Sequence, residues 1–315
     1  MGMIEKIGNF ARKLGNTIME RKELHGMGVA LVTPFSTDGE VDYTALQRLV
    51  DYQIASRADF LCVLGTTAET PTLSSEEQLA VRRTVVERNA GRLPILLGCG
   101  GNCTRNIVEK LKADPMDDVD AILSVVPYYN KPSQQGMYAH FKAISEATEL
   151  PILLYNVPGR TGVNMTADTT LRLARDFKNI VAIKEASGNI TQMDDIIKNK
   201  PENFDVISGD DGITFPLITL GAVGVISVIG NAFPREFSRM TRLALQGDYA
   251  NALTIHHKFT ELFSLLFVDG NPAGVKAMLN VMGLIENKLR LPLVPTRITT
   301  FEKMRAILNE LNIKC

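Results

Sequence analysis

The sequence has no excess charge of either sign. Its 315 residues carry 34 Lys+Arg against 35 Asp+Glu, a net charge of −1. That removes the basic footprint by which proteins hold nucleic acids through their phosphates. Cysteine is scarce, with four residues (Cys62, Cys99, Cys103 and Cys315) and no C-x-x-C pair. Such usage argues against a disulfide framework or structural zinc and suits a reducing cytoplasm. The four histidines, His25, His140, His256 and His257, lack any HExxH or similar spacing, so no catalytic metal is expected. No run of about 18 apolar residues occurs, so no membrane-spanning helix is expected.

Residues 1–25 interleave charged and apolar residues, which leaves no apolar segment for a secretory signal. Lys6 stands where a myristoylation pattern needs Ser or Thr. Ile4, Ile7, Phe10, Leu14 and Ile18 recur at spacings of three and four. That stripe is read as part of an N-terminal tail, with a membrane-surface helix as the alternative. A soluble, cytoplasmic chain is expected.

What the sequence does have is ordinary globular composition, 45% hydrophobic and 22% charged, and this excludes disorder. From residue 26 onward, short apolar runs alternate with amphipathic stretches. The runs fall at 26–32, 59–65, 94–98, 119–126, 151–156, 179–185, 204–208 and 224–228. Rich in Ile, Val and Leu and mostly without polar alternation, they read as parallel strands buried on both faces. Helical stretches lie between them, as at 44–56, 75–90 and 166–177. Ser74 or Ser75 ahead of Glu76 and Glu77, and Thr166 ahead of Asp168, mark helix starts.

Eight such units predict a (β/α)8 TIM barrel over 26–247. The competing open nucleotide-binding sheet would need a G-x-G-x-x-G after the first strand, and none is there. After residue 247 the strand rhythm stops. Helical stretches at about 249–266, 272–285 and 298–312 form a C-terminal helical extension, 248–315, broken at Asp269–Pro272 and Pro292–Pro295.

In a barrel, chemistry sits at the C-terminal ends of strands. Lys184 follows the apolar Ile180–Ile183, and desolvation there would disfavour the ammonium and favour a nucleophilic amine. The ordinary alternative is an ion pair with Glu185 or a nearby Asp. Tyr155 ends the neighbouring run, as a proton relay or as a cap on a polar core position. Arg160 follows in a Gly/Pro-punctuated loop, suited to a carboxylate or simply solvated. Thr66 and Thr67 lie in a turn able to bind a small carboxylate, or serving only as a turn. Asp210 and Asp211 read as a turn or helix start with solvated carboxylates, with a bound cation as the alternative, and Cys62 as a packed core thiol. Together Lys184, Tyr155, Arg160 and the Thr66–Thr67 turn suit a keto acid attacked by lysine, with a second carboxylated partner beside it.

The motifs GTTAET (65–70), PYYNKPSQQGMYAHF (127–141), YNVPGRTG (155–162), IKEASGN (183–189), SGDD (208–211) and GVISV (224–228) occur in order. Over about residues 26–312 the chain resembles the dihydrodipicolinate synthase family of pyruvate-dependent class I aldolases. The resemblance implies that Lys184 forms a Schiff base with pyruvate and that Tyr155 gives and takes protons. It further implies a relay completed by Thr66 and by Tyr129 from a neighbouring subunit. Thr67, Ile226 and Gly209 would bind pyruvate, and Arg160 the carboxylate of aspartate semialdehyde. No cofactor or metal is implied beyond the covalent Schiff base. The implied assembly is a homotetramer, a dimer of dimers, acting in lysine and diaminopimelate synthesis.

Two departures stand out. Ala68 replaces the family's usual glycine, which fits if its φ is negative. Asn102 and Tyr128 match the family's lysine-inhibitor site, but Ser75, Gln78 and Asn106 replace the two His and the Glu of inhibitor-sensitive members. Feedback by lysine is therefore expected to be weak or absent. Sialate-type lyases share the lysine and tyrosine but not the Arg160 loop. A non-catalytic relative would have lost Lys184, Tyr155 or Thr67.

Overall fold

The computed structural model describes residues 24–114 and 116–311. The stripe from Ile4 to Ile18 and Cys315 lie outside the described residues. The eight apolar runs become β1 (Gly26–Ala30), β2 (Phe60–Val63), β3 (Ile95–Gly98), β4 (Ala121–Val125), β5 (Ile152–Asn156), β6 (Ile180–Glu185), β7 (Asp205–Ser208) and β8 (Gly224–Ser227). They pair in parallel in chain order and close on themselves, β8 against β1. This is the expected (β/α)8 barrel.

The helices are α1 (Tyr43–Ala55), α2 (Ser75–Asn89), α3 (Thr104–Ala113), α4 (Gln134–Ser145), the short α5 (Pro158–Thr161), α6 (Ala167–Asp176), α7 (Ile190–Asn199), α8 (Thr214–Leu220) and α9 (Pro234–Leu245). The extension forms α10 (Tyr249–Leu265), α11 (Ala273–Val281) and α12 (Ile298–Leu311). Local chemistry sets several of these starts. Ser74 and Glu77 form a reciprocal capping box on α2, and Thr166 accepts from the Thr169 N–H to open α6. The cap of α2 is thus Ser74, not Ser75.

Alternation along the strands splits the core in two. Phe60, Cys62, Leu96, Leu123, Leu153, Tyr155, Ala182, Ile207 and Ile226 pack together inside the barrel. Met27, Val29, Leu61, Val63, Ile122, Leu154 and Val206 belong to the larger cluster shared with the helices. Gly28 is required by this packing, because a Cβ there would lie 2.0 Å from the Phe60 ring. At the barrel's N-terminal side, Leu24 packs against the interior cluster and His25 reaches Asp205 at 3.2 Å.

His140 on α4 is 4% exposed, with Nδ1 held to the Thr104 hydroxyl at 2.8 Å and Nε2 without a hydrogen-bond partner among the described residues. Burial pushes its imidazole down to about 4. The unfolded chain takes this proton near pH 6.5, well before the fold does. Its contribution is therefore complete above pH 6.5 and is lost as pH falls from there toward 4, by up to about 3 kcal/mol. Denaturant unfolding of the protein and of His140→Gln at pH 7 and pH 5 checks this. The variant should lose less stability between the two, and equal losses would contradict the assignment.

Candidate active site

Lys184 and Tyr155 are register partners on adjacent strands near the C-terminal ends of β6 and β5. Both are 6% exposed, and the Lys184 Nζ stands 4.5 Å from the centre of the Tyr155 ring. An amine so placed is shielded from water by an aromatic face that also attracts its cationic form. Glu185 is not the partner of Lys184. One residue further on, it points to the opposite face, fully buried, and accepts hydrogen bonds from Asn156 (2.7 Å), the Ser187 hydroxyl (2.6 Å) and Gln192 (3.0 Å). Among the described residues Lys184 has no salt bridge.

Gly209, just after β7, packs on the lysine stem: a Cβ there would meet Lys184 Cε at 3.0 Å and the Ala186 Cβ at 2.8 Å. Ile226 lies on β8 opposite Gly28, in the interior cluster. Cys62 belongs to that cluster too, and burial raises its thiol to about 11 against the pull of the Lys184 charge. It is a core thiol, as expected.

Thr66 and Thr67 sit in a single 3-10 turn, Thr66–Ala68. Thr33 Oγ donates to the Ala68 carbonyl at 2.8 Å, and Thr70 Oγ to the Gly65 carbonyl at 3.0 Å. The left-handed conformation falls on Glu69 (φ 55°), not on Ala68, so alanine is accommodated where the family usually has glycine. Thr67 is buried, and its Oγ accepts from the Asn271 amide at 3.0 Å. That bond uses a lone pair and leaves the Thr67 O–H free to donate. Asn271 lies just before α11, and its carbonyl also receives an N–H of Arg160 at 3.4 Å. Arg160 itself is exposed, in α5, which Pro158 starts.

A cavity of about 560 Å³ opens at this end, bounded by Thr66, Tyr155 and Arg160 together with the 98–103 loop, Gln78, Asn106, Lys110 and Tyr128. Lys184, Thr67, Gly209 and Ile226 are not on its wall; they join the group through Tyr155, Asn271 and the lysine stem. Tyr129 stands apart, 88% exposed with φ 77°.

The expectation of solvated carboxylates at 210–211 is corrected for Asp211. Asp210 does cap the turn, accepting from Gly212 at 2.9 Å. Asp211 is 2% exposed and accepts from the Val228 and Ile229 N–H groups at 3.0 and 2.8 Å, because those amides follow β8 and need an acceptor. Burial raises its carboxyl to about 6. Among the described residues no three His, Cys, Asp or Glu side chains cluster as a metal-ligand set. No described helix is long and apolar enough to cross a membrane.

A model of the Dihydrodipicolinate synthetase family matches residues 23–311. The 4-hydroxy-tetrahydrodipicolinate synthase of Phocaeicola vulgatus is 81% identical over 297 residues, covering 94% of this chain and all of the relative. That of Parabacteroides distasonis is 74% identical over 93% of this chain and 98% of the relative. The crystal structure of dihydrodipicolinate synthase from Aquifex aeolicus superposes with a TM-score of 0.89 at 42% identity, covering 92% of this chain and 98% of that one. With its barrel, its lysine–tyrosine pair and these matches, the chain belongs to the dihydrodipicolinate synthetase family.

Proposed function

We propose that Lys184 is the nucleophile of this enzyme and that Tyr155, Thr66 and Tyr129 form its proton relay. The chain condenses pyruvate with L-aspartate 4-semialdehyde to give 4-hydroxy-tetrahydrodipicolinate, a step toward lysine and diaminopimelate. The Lys184 amine adds to the pyruvate keto carbon and water leaves. The resulting imine withdraws electrons, so the methyl group loses a proton to the relay and becomes an enamine carbon. That carbon attacks the aldehyde, and the alkoxide takes a proton. The substrate's own amino group then displaces Lys184 as the ring closes. The covalent imine is itself the electron sink, so the chemistry calls for no cofactor.

Thr67 would donate its free hydroxyl to the pyruvate carboxylate, with Ile226 and Gly209 shaping the space around it. Arg160 would take the carboxylate of the semialdehyde. Tyr129, turned out of its own chain, would complete the relay in a neighbouring subunit of a homotetramer built as a dimer of dimers. Residues 26–247 would form the catalytic barrel, with 248–315 as an extension reaching the mouth through Asn271. Cytoplasmic location is the accompanying reading, supported by the free Cys62, Cys99 and Cys103.

The observation that carries the proposal is the buried Lys184 amine held over the Tyr155 ring, with no acidic partner among the described residues. Incubation with pyruvate, borohydride reduction and peptide mapping test it. A pyruvyl adduct on Lys184 is the expected result, and an adduct elsewhere or none would overturn it.

The cavity also bears on regulation. Ser75 opens α2, and Gln78 donates to the Leu73 carbonyl at 3.2 Å. The Lys110 ammonium reaches Gln78 Oε1 at 3.4 Å, and Asn106 accepts from Cys103. None of the described residues on the cavity wall is acidic. A lysine ligand would find an ammonium already there and no carboxylate to pair with. Millimolar lysine should therefore leave the initial rate unchanged, and a clear dose-dependent drop would refute this.

A further inference from the structure

The turn that carries Thr66 and Thr67 is closed by a residue the reaction above leaves without a role. Glu69 is 1% exposed and holds a left-handed φ of 55°, a conformation that a non-glycine residue keeps only where its surroundings enforce it. Its carboxylate is divided between two parts of the C-terminal extension. Oε1 takes a hydrogen bond from the Lys276 ammonium of α11, and Oε2 accepts from the Arg290 backbone N–H at 3.1 Å.

Lys276 is fully buried, donates also to the Lys288 carbonyl at 3.0 Å, and lies 4.1 Å from the centre of the Phe35 ring. The Arg290 guanidinium flanks the same ring at 4.6 Å and grips Glu77 with two bonds of 2.7 and 2.6 Å. Glu77 belongs to the capping box of α2, the helix that follows the Thr66–Thr67 turn. A buried charge pair is a poor way to gain stability compared with apolar packing, and it earns a specific role only if it fixes a geometry. Here both ends of the pair bear on one short turn.

We propose that Glu69 and Lys276 are positioning residues for the pyruvate side of the site, their buried ion pair holding the Thr66–Thr67 turn in place against the C-terminal extension. The proposal rests on the reading of Thr67 as the group that binds the pyruvate carboxylate. Loss of the pair frees the turn to relax from the strained Glu69 conformation, which moves the Thr67 hydroxyl away from its substrate. Arg160 is carried by α5 on a different loop and meets this group only through a 3.4 Å bond to the Asn271 carbonyl, so the semialdehyde side is affected far less.

The test is steady-state kinetics of the full-length enzyme as Glu69→Gln, Lys276→Met and the uncharged double variant, with Thr67→Val as control. In Glu69→Gln the KM for pyruvate should rise at least about tenfold while that for the semialdehyde stays within about twofold. The double variant leaves no unpaired buried charge, so it should melt higher than either single variant yet keep the raised pyruvate KM. A merely structural pair would lower the amount of active enzyme and change neither KM. An unchanged pyruvate KM in a folded variant, a parallel rise in both KM values, or failure of all three variants to fold would each overturn the proposal. If Thr67→Val also leaves the pyruvate KM unchanged, the reading of Thr67 falls. If only Thr67→Val raises it, that reading stands and this inference alone fails.

Discussion

Replacing Lys184 with alanine should abolish condensation, with kcat/KM falling by at least about 10⁴-fold, or roughly 5 kcal/mol of transition-state stabilisation. The size of the effect follows from what is removed. Without an amine there is no imine, hence no electron sink to make the pyruvate methyl acidic, and no neighbouring group can substitute. Glu185 points away into its own hydrogen bonds, and the Cys62 thiol is buried and held protonated by its surroundings. Lys184→Arg separates nucleophilicity from charge. It keeps a cation over the Tyr155 ring but has no amine able to form the imine, so it should lose as much activity as the alanine variant. Retention of activity within about tenfold in the arginine variant would mean that Lys184 acts as a charge. The alanine variant should fold, because removing a desolvated cation from beside Tyr155 and Ile207 leaves no buried partner unpaired.

How much of this was legible in the sequence follows from sequence distance. The strands were readable because a parallel barrel buries both faces of each one, so each strand is a run of Ile, Val and Leu and not a subtle alternation. β6, read at 179–185, is observed at Ile180–Glu185. Lys184 and Tyr155 stood out because strand ends in a barrel deliver side chains to one mouth. Alternation could also have ruled out Glu185 as the partner of Lys184, since consecutive strand residues face opposite ways.

The supporting residues were not legible. Asn271 meets Thr67 across 204 positions, Lys276 meets Glu69 across 207, and Arg290 meets Glu69 across 221. No local pattern encodes a pairing at that range. One signal was nonetheless present: a lysine inside AGVKAMLN, a helix otherwise apolar at that point. The burial of Ala273 through Leu279 then requires a buried carboxylate opposite Lys276. Asp211 was misread for a similar reason, because the Val228 and Ile229 amides it serves come from another strand end.

Tyr129 carries the second large expected effect, and the proposed relay would tie activity to assembly. The side chain is 88% exposed and its backbone is left-handed, as is that of Lys131 (φ 47°), so the Tyr128–Lys131 loop holds the ring away from its own barrel. On the proposed relay, two-fold pairing would place each Tyr129 in its partner's site. Tyr129→Phe removes the hydroxyl and keeps the ring, so kcat should fall by about 10²- to 10³-fold with pyruvate still trapped on Lys184. Co-expression with the Lys184→Ala chain gives the decisive result. A mixed dimer holds one doubly altered site and one site with both Lys184 and Tyr129 intact, although each parent alone has little or no activity. Random pairing of equal amounts makes half the dimers mixed, so about a quarter of wild-type activity should return. Activity no higher than that of the parents would show that Tyr129 serves its own chain or has no part in the relay. Recovery near a quarter would require two chains for each working site, and dissociation would then inactivate the enzyme without unfolding it.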